Sequence, residues 1–222
     1  MRELLFVCCT PGRKDDTVAI RSLVKFPGQR SLFFEQMSTR HASCYNYVLN
    51  QVAKPDQIVV FVRDDTLISD LFVQEKLNQA VDVLGFAVVG VAGASTFNLH
   101  ENQPATLWNQ APPENLSGAI EYAERGMQCT WRCFGSAPAR CVVLDNSFLA
   151  VDPRRIGAVR FEERFETHFH MLDFCLTAHF AGLMLGTTNV YVNRKPEDML
   201  ANPHFQAAQS IFRSKWRDRL RA

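Results

Sequence analysis

The chain has 222 residues, 47% of them hydrophobic and 21% charged, and its 24 basic and 23 acidic side chains leave a formal net charge of +1. That length suits one domain with a sizeable core, and the balanced charge gives no bulk electrostatic case for a nucleic-acid partner. The longest apolar runs, such as 84 to 94, fall short of the roughly 20 residues a spanning helix needs. With no charged-then-apolar signal pattern at the N-terminus, a cytoplasmic protein without a transmembrane segment is expected.

In chain order, Glu3 to Cys9 is a short apolar run that predicts a first strand, closed by the turn residues Thr10-Pro11-Gly12. A short helix is expected from Asp16 to Lys25, a second strand over Ser31 to Phe34, and a helix from Ser38 to Ala53 whose apolar face carries Cys44, Tyr45, Val48, Leu49 and Val52. The six residues from Ile58 then read as a strand buried on both faces of a mostly parallel sheet. An amphipathic helix from Asp70 to Leu84, with Leu71, Leu77, Val81 and Leu84 on its stripe, is capped by Gly85 and followed by a buried strand over Phe86 to Ala92. Strand, helix, strand, helix, strand predicts an α/β fold with right-handed crossovers. From Gly93 to about Gly118 the composition predicts an irregular stretch, in which Trp108 either tucks onto the core or stacks on a ligand. Cys141 to Val151 predicts a bent strand or strand pair, interrupted by Asp145-Asn146-Ser147, whose polar side chains must face a cleft or a hydrogen-bonding neighbour. A helix from Leu172 to Gly182, a late strand over Met184 to Val192 and a helix from Pro203 to Leu220 complete the pattern.

Chemistry is expected where the central strand ends in Asp64 and Asp65. Ligands of open α/β sheets sit outside the carboxyl ends of such strands. Two unit charges about 4 Å apart repel by about 4 kcal/mol at an effective dielectric near 20, which a divalent cation would relieve. The alternative is that one acid caps the next helix and the other is solvated. His168 and His170, at alternate positions, either share the cleft as metal ligands or proton acceptors or divide between core and surface. The seven cysteines suit buried free thiols in a reducing compartment, and the Cys129, Cys133 spacing has no second pair to complete a zinc site.

The order of these segments resembles the GT-A-type glycosyltransferases of family 2, in particular the small branch akin to streptomycin-biosynthesis glycosyltransferase-like domains. The resemblance rests on Cys8-Cys9-Thr10, Ser43 to Asn46, Val60 to Asp65, Gly90 to Gly93, Leu144 to Ala150, Phe161 to Phe165, His168 to Leu176 and Phe212 to Trp216. It implies a single GT-A, Rossmann-like domain over 1–222, with a nucleotide-binding half (1–95), the irregular region (96–140) and an acceptor-side half with the C-terminal helix (141–222). It implies a nucleotide-sugar donor, an acceptor hydroxyl and a divalent cation, Mn²⁺ or Mg²⁺, usually with inversion. By position, Asp65 would ligate the cation, Asp64 would contact the donor or the metal shell, Cys9, Thr10 and Pro11 would meet the nucleotide, and Asp145 would face the sugar or acceptor. The cation would neutralise the departing diphosphate. The family's general base falls on Met171, whose thioether cannot take a proton, so His170 or Asp173 is the expected substitute, with His168 a further candidate. No late histidine that would complete a metal shell is evident near Tyr191 to Asn193. Two other classes stay open: a catalytically silent domain binding a nucleotide sugar or a protein, and a nucleotidyltransferase, for which no Gly-rich basic phosphate loop is evident.

Overall fold

A computed structural model describes residues 1–26, 28–99, 107–123, 129–196 and 203–220. In chain order the elements are β1 (Glu3–Cys9), α1 (Val18–Leu23), β2 (Arg30–Phe34), α2 (His41–Tyr47), β3 (Gln57–Val62), β4 (Thr66–Ile68), α3 (Val73–Asn78), β5 (Val88–Gly90) and β6 (Ala92–Ala94). They continue as β7 (Leu116–Ala123), β8 (Cys129–Gly135), β9 (Arg140–Cys141), β10 (Val143–Leu144), β11 (Phe148–Val151), α4 (Pro153–Ile156), α5 (His170–Phe180), β12 (Leu185–Thr187), β13 (Val192–Arg194) and α6 (Pro203–Trp216). Both α2 and α3 run on into a π-helical turn, to Val52 and Val83 respectively.

The main sheet has the order β2-β1-β3-β11-β5-β12-β9. Strand β1 is parallel to β2 and β3, and β5 is parallel to β12, while β11 lies antiparallel between β3 and β5. The period-2 alternation of a strand sends Leu5, Val7, Val59 and Phe61 to the layer of α2, α5 and α6. Leu4, Phe6, Ile58 and Val60 go to the layer of α1 and α3. All six residues of β3 are buried, as its unbroken apolar run demands.

Several expectations are corrected. The run Phe86 to Ala92 serves two sheets: β5 stays in the main one, and beyond Val91 the chain enters a second sheet of order β10-β6-β7-β13-β4, with β8 beside β7. The late strand divides in the same way, β12 in the main sheet and β13 in the second. The span 96 to 140, expected to be irregular, carries the antiparallel pair β7 and β8. Their strand pattern escapes the eye because β8 is largely exposed on an edge and so lacks apolar alternation. Helix α3 starts three residues later than expected, leaving Leu71 71% exposed. Asp70 is the reason: its carboxylate accepts the Phe72 N–H at 2.9 Å and binds Lys76 Nζ at 2.5 Å, which holds the chain in a turn. Gly118 lets the second sheet fold over the first: its φ is +90°, and a Cβ there would meet the Val91 carbonyl oxygen at 2.0 Å. The cysteines are all free, five buried and Cys129 and Cys133 exposed.

Candidate active site

Two motif blocks about 115 residues apart in sequence lock together beside the sheet. Asn46 on α2 donates to the Phe161 carbonyl and accepts the Phe161 N–H, both at 2.9 Å, and its amide also reaches Glu163 at 2.9 Å. Ser43 donates to the other Glu163 oxygen at 2.9 Å, and the His41 N–H donates to the Glu166 carbonyl at 3.0 Å. These bonds fix the start of α2 against the segment leading into α5. Each helix then opens on a histidine, His41 and His170, preceded by a non-glycine residue in the left-handed region: Arg40 at φ +65° and Phe169 at φ +64°. Such conformations cost on the order of 1–3 kcal/mol and gather where a site dictates the backbone.

A cavity of about 510 Å³ lies outside the carboxyl ends of β1 and β3, lined among others by Cys9, Arg63, Asp64, Asn146 and Glu166. Its volume is in the range of small-molecule sites. His41, His168, His170 and His204 also line it. Thr10 is buried and donates to Asp64 Oδ2 at 3.1 Å, tying the end of β1 to the end of β3. Pro11 is exposed and outside the lining. Burial pushes the Cys9 thiol well above its ordinary pKa, so it stays protonated.

A second cavity of about 100 Å³ adjoins the first, and the two share Asn146, Thr167, His168, His170 and Met171 as a common wall. Asp145 lies on its far side, 1% exposed, accepting from Trp108 Nε1 at 3.1 Å and Arg194 at 3.3 Å. Its other oxygen accepts from both the Ser147 N–H, at 2.8 Å, and the Ser147 hydroxyl. Burial alone would raise its pKa, but Arg194, the Ser147 bonds and Arg63 outweigh it and hold the carboxyl below its ordinary value. Trp108 thus does tuck back, edge-on to Phe134 at 4.8 Å, while still lining the cavity.

His170 is 7% exposed, packs edge-on to His41 at 5.7 Å and has a buried Nδ1 without a hydrogen-bond partner. Desolvation, helped by His41, His168 and Arg63, lowers its pKa to about 3, so it is neutral at pH 7. His41 is shifted down as well, chiefly by burial. Asp173 is placed elsewhere. It is fully buried, lines neither cavity, and accepts from Lys215 Nζ at 2.9 Å and Trp216 Nε1 at 2.8 Å, anchoring α6 to α5. Asp173 therefore faces α6 and neither cavity, away from where the expected proton acceptor would have to stand.

Asp65 also differs in setting from Asp64. Arg63 donates through Nε and Nη2 to its two oxygens at 3.0 Å each, a fork that occupies the carboxylate. Asp65 does not line the cavity, whereas Arg63 does. Among the described residues no three His, Cys, Asp or Glu side chains converge as metal ligands. Asp64 is the one carboxylate of the pair that faces the space. Sequence reasoning missed Arg63, His41 and His204. Arg63 was signalled by a charge set between an apolar strand and two acids; the two histidines, remote in sequence, carried no signal.

The mixed α/β architecture, two sheets with flanking helices and cavities at the carboxyl ends of the central strands, is that of a GT-A-like domain. Among solved structures the chain is similar to A197 from STIV, with a TM-score of 0.50 and 12% identity over 84% of this chain and 82% of that one. It is similar also to S. aureus TarS 1-349, with a TM-score of 0.50 and 10% identity over 87% of this chain and 60% of that one. No protein-family model matches the sequence, and no curated protein does. Among the described residues no helix is long and apolar enough to cross a membrane.

Proposed function

We propose that the chain is a nucleotide-sugar-dependent glycosyltransferase that moves a sugar onto an acceptor hydroxyl with inversion. The observation that carries this reading is the pair of adjoining cavities with a wall of histidines between them. The larger takes the nucleotide and its diphosphate, against Cys9 and Asp64. The smaller takes the sugar and the acceptor hydroxyl, against Asp145 and Trp108. The acceptor oxygen bonds to the anomeric carbon while the bond from that carbon to the β-phosphate oxygen breaks, and the electron pair leaves with the nucleoside diphosphate. His168, half-buried and lining both cavities, receives the hydroxyl proton. His170 is a weaker base, because an imidazole whose conjugate acid has a pKa of about 3 offers little driving force near neutral pH.

The test is calorimetric titration with UDP-, GDP-, ADP- and CDP-sugars in the presence of Mn²⁺, with Asp64→Ala as the control. Saturable binding that the substitution weakens is expected, and no binding of any of them by the wild type defeats the proposal. One observation favours a second reading, a domain that binds the donor without turnover: Met171 stands on the wall where the family's base is expected. In that case the donor is neither transferred nor hydrolysed by the wild type, and Met171→Asp raises its hydrolysis. Turnover by the wild type that His168→Gln abolishes decides for the enzyme.

A further inference from the structure

The smaller cavity is divided in its chemistry. On the far side Trp108 and Arg194 both donate to Asp145, and Arg194 also reaches the Tyr122 hydroxyl at 3.3 Å and lies 5.1 Å from the centre of its ring. Next to the wall that the two cavities share, the lining turns apolar. Phe205 stands edge-on to His168 at 5.5 Å, Phe169 packs on Phe205 at 5.1 Å, and Met171 and Leu172 complete this side. Asn146 and Thr167 belong to the wall itself. An acceptor on this side therefore meets His168 among aromatic rings. A polyol would press several hydroxyls against carbon, each stripped of water without a partner, and each such loss counts against binding. A flat aromatic ring buries its face and edge in the arrangements that Phe169 and Phe205 already adopt, and has one polar atom to place.

The proton acceptor favours the same kind of molecule. A carboxylate loses its charge on taking a proton, so burial helps it, whereas an imidazole gains a charge and burial opposes it. Burial already holds the neighbouring His170 neutral. A hydroxyl that gives its proton to a histidine in such surroundings must part with it readily. A phenol ionises at a pKa of about 10, while an aliphatic hydroxyl resembles water, at about 15.7, and holds its proton several powers of ten more tightly.

We propose that the acceptor is a phenol, its aromatic ring packed against Phe169, Leu172 and Phe205 and its one hydroxyl held at His168. The proposal rests on the transferase reading and narrows its acceptor. The phenolic oxygen bonds to the anomeric carbon, the bond from that carbon to the β-phosphate oxygen breaks, His168 takes the phenolic proton, and the nucleoside diphosphate leaves with the electron pair.

Phenol is the probe, titrated into the full chain by calorimetry with and without whichever of the UDP-, GDP-, ADP- and CDP-sugars the chain binds. Cyclohexanol, with the same ring size and one hydroxyl but no aromatic face, is the comparison. Phe205→Leu keeps the site apolar and removes a ring, so it should weaken phenol about two- to tenfold and leave cyclohexanol unchanged. Leu172→Asn, at a half-buried position, should weaken both, and it serves if Phe205→Leu fails to fold as judged by its melting curve. Transfer from the bound donor should favour phenol over cyclohexanol and over methyl glucoside by at least about a hundredfold in kcat/KM, the lower end of what a well-matched general base contributes. Transfer to either comparison alcohol as fast as to phenol overturns the inference and leaves the transferase reading standing. So does phenol binding that ignores both substitutions, or no phenol binding by a chain that binds nucleotide sugars. A chain that binds no nucleotide sugar loses the reading and the inference together.

Discussion

Replacing His170 by Asn should make the protein less sensitive to acid. In the folded chain the imidazole has a pKa of about 3, against an ordinary value of 6.5. Above pH 6.5 the ring is neutral whether folded or not and contributes nothing to the pH dependence. Below it the unfolded chain binds a proton that the folded one refuses, so stability is lost as the pH falls from about 6.5 toward 3. With about 1.4 kcal/mol per unit, the penalty reaches about 2 kcal/mol at pH 5 and at most about 4–5 kcal/mol once the folded ring is also protonated. The assay is urea unfolding of wild type and His170→Asn at pH 7.5 and pH 5.0, a window chosen to lie above the main carboxylate titrations. The wild type should lose about 2 kcal/mol more than the variant between the two values. Equal losses would show that His170 is free to protonate in the folded state, and with that the enclosed imidazole wall described above would be refuted. His41, shifted in the same direction, should add a smaller effect of the same sign, removed by His41→Gln.

Asp173→Ala should cost about 2–3 kcal/mol in urea unfolding, through lost bonds to Lys215 and Trp216, and expose α6 to proteolysis. Donor affinity measured well below the melting temperature should be unchanged, and a selective loss of turnover in a stable variant would contradict its placement. Asn46→Ala removes three hydrogen bonds between α2 and the segment at Phe161, and should cost about 2–4 kcal/mol by the same measurement. Gly118→Ala must accommodate both a left-handed φ and a carbonyl oxygen in its path, and a melting temperature lowered by several degrees, on the order of 5 °C, is expected for at least about 2 kcal/mol.

The main sheet was legible because burial on both faces writes itself as an unbroken apolar run, as in β1 and β3. The helices α5 and α6 were legible from their spacing, and Phe205, Phe212 and Trp216 are buried as expected. The second sheet was not legible. Four of its strands have three residues or fewer, one longer strand is an exposed edge, and two of the short ones continue apolar runs that begin in the first sheet, so nothing local marks the change of partner. For the site, the strand ends and the His168, His170 pair could be found from chain position alone, since the place of a strand's carboxyl end follows from topology. The division of labour between Asp64 and Asp65 could not, because it depends on which way Arg63 turns. Nor could the burial of Asp173 beneath α6, which is a matter of how two distant helices meet.

The antiparallel insertion of β11 between β3 and β5 has a consequence for synthesis on the ribosome. Those two strands are complete by residue 90, yet the piece that joins them emerges only with residues 148 to 151. For some sixty residues of translation, the nascent chain therefore holds β3 with one border unpaired and β5 without either of its main-sheet neighbours, exposed strands of the kind that recruit other extended polypeptide. A holdase acting on this chain has its greatest value in that interval, and stalling translation just before and just after β11 should separate a chaperone-bound species from a released one.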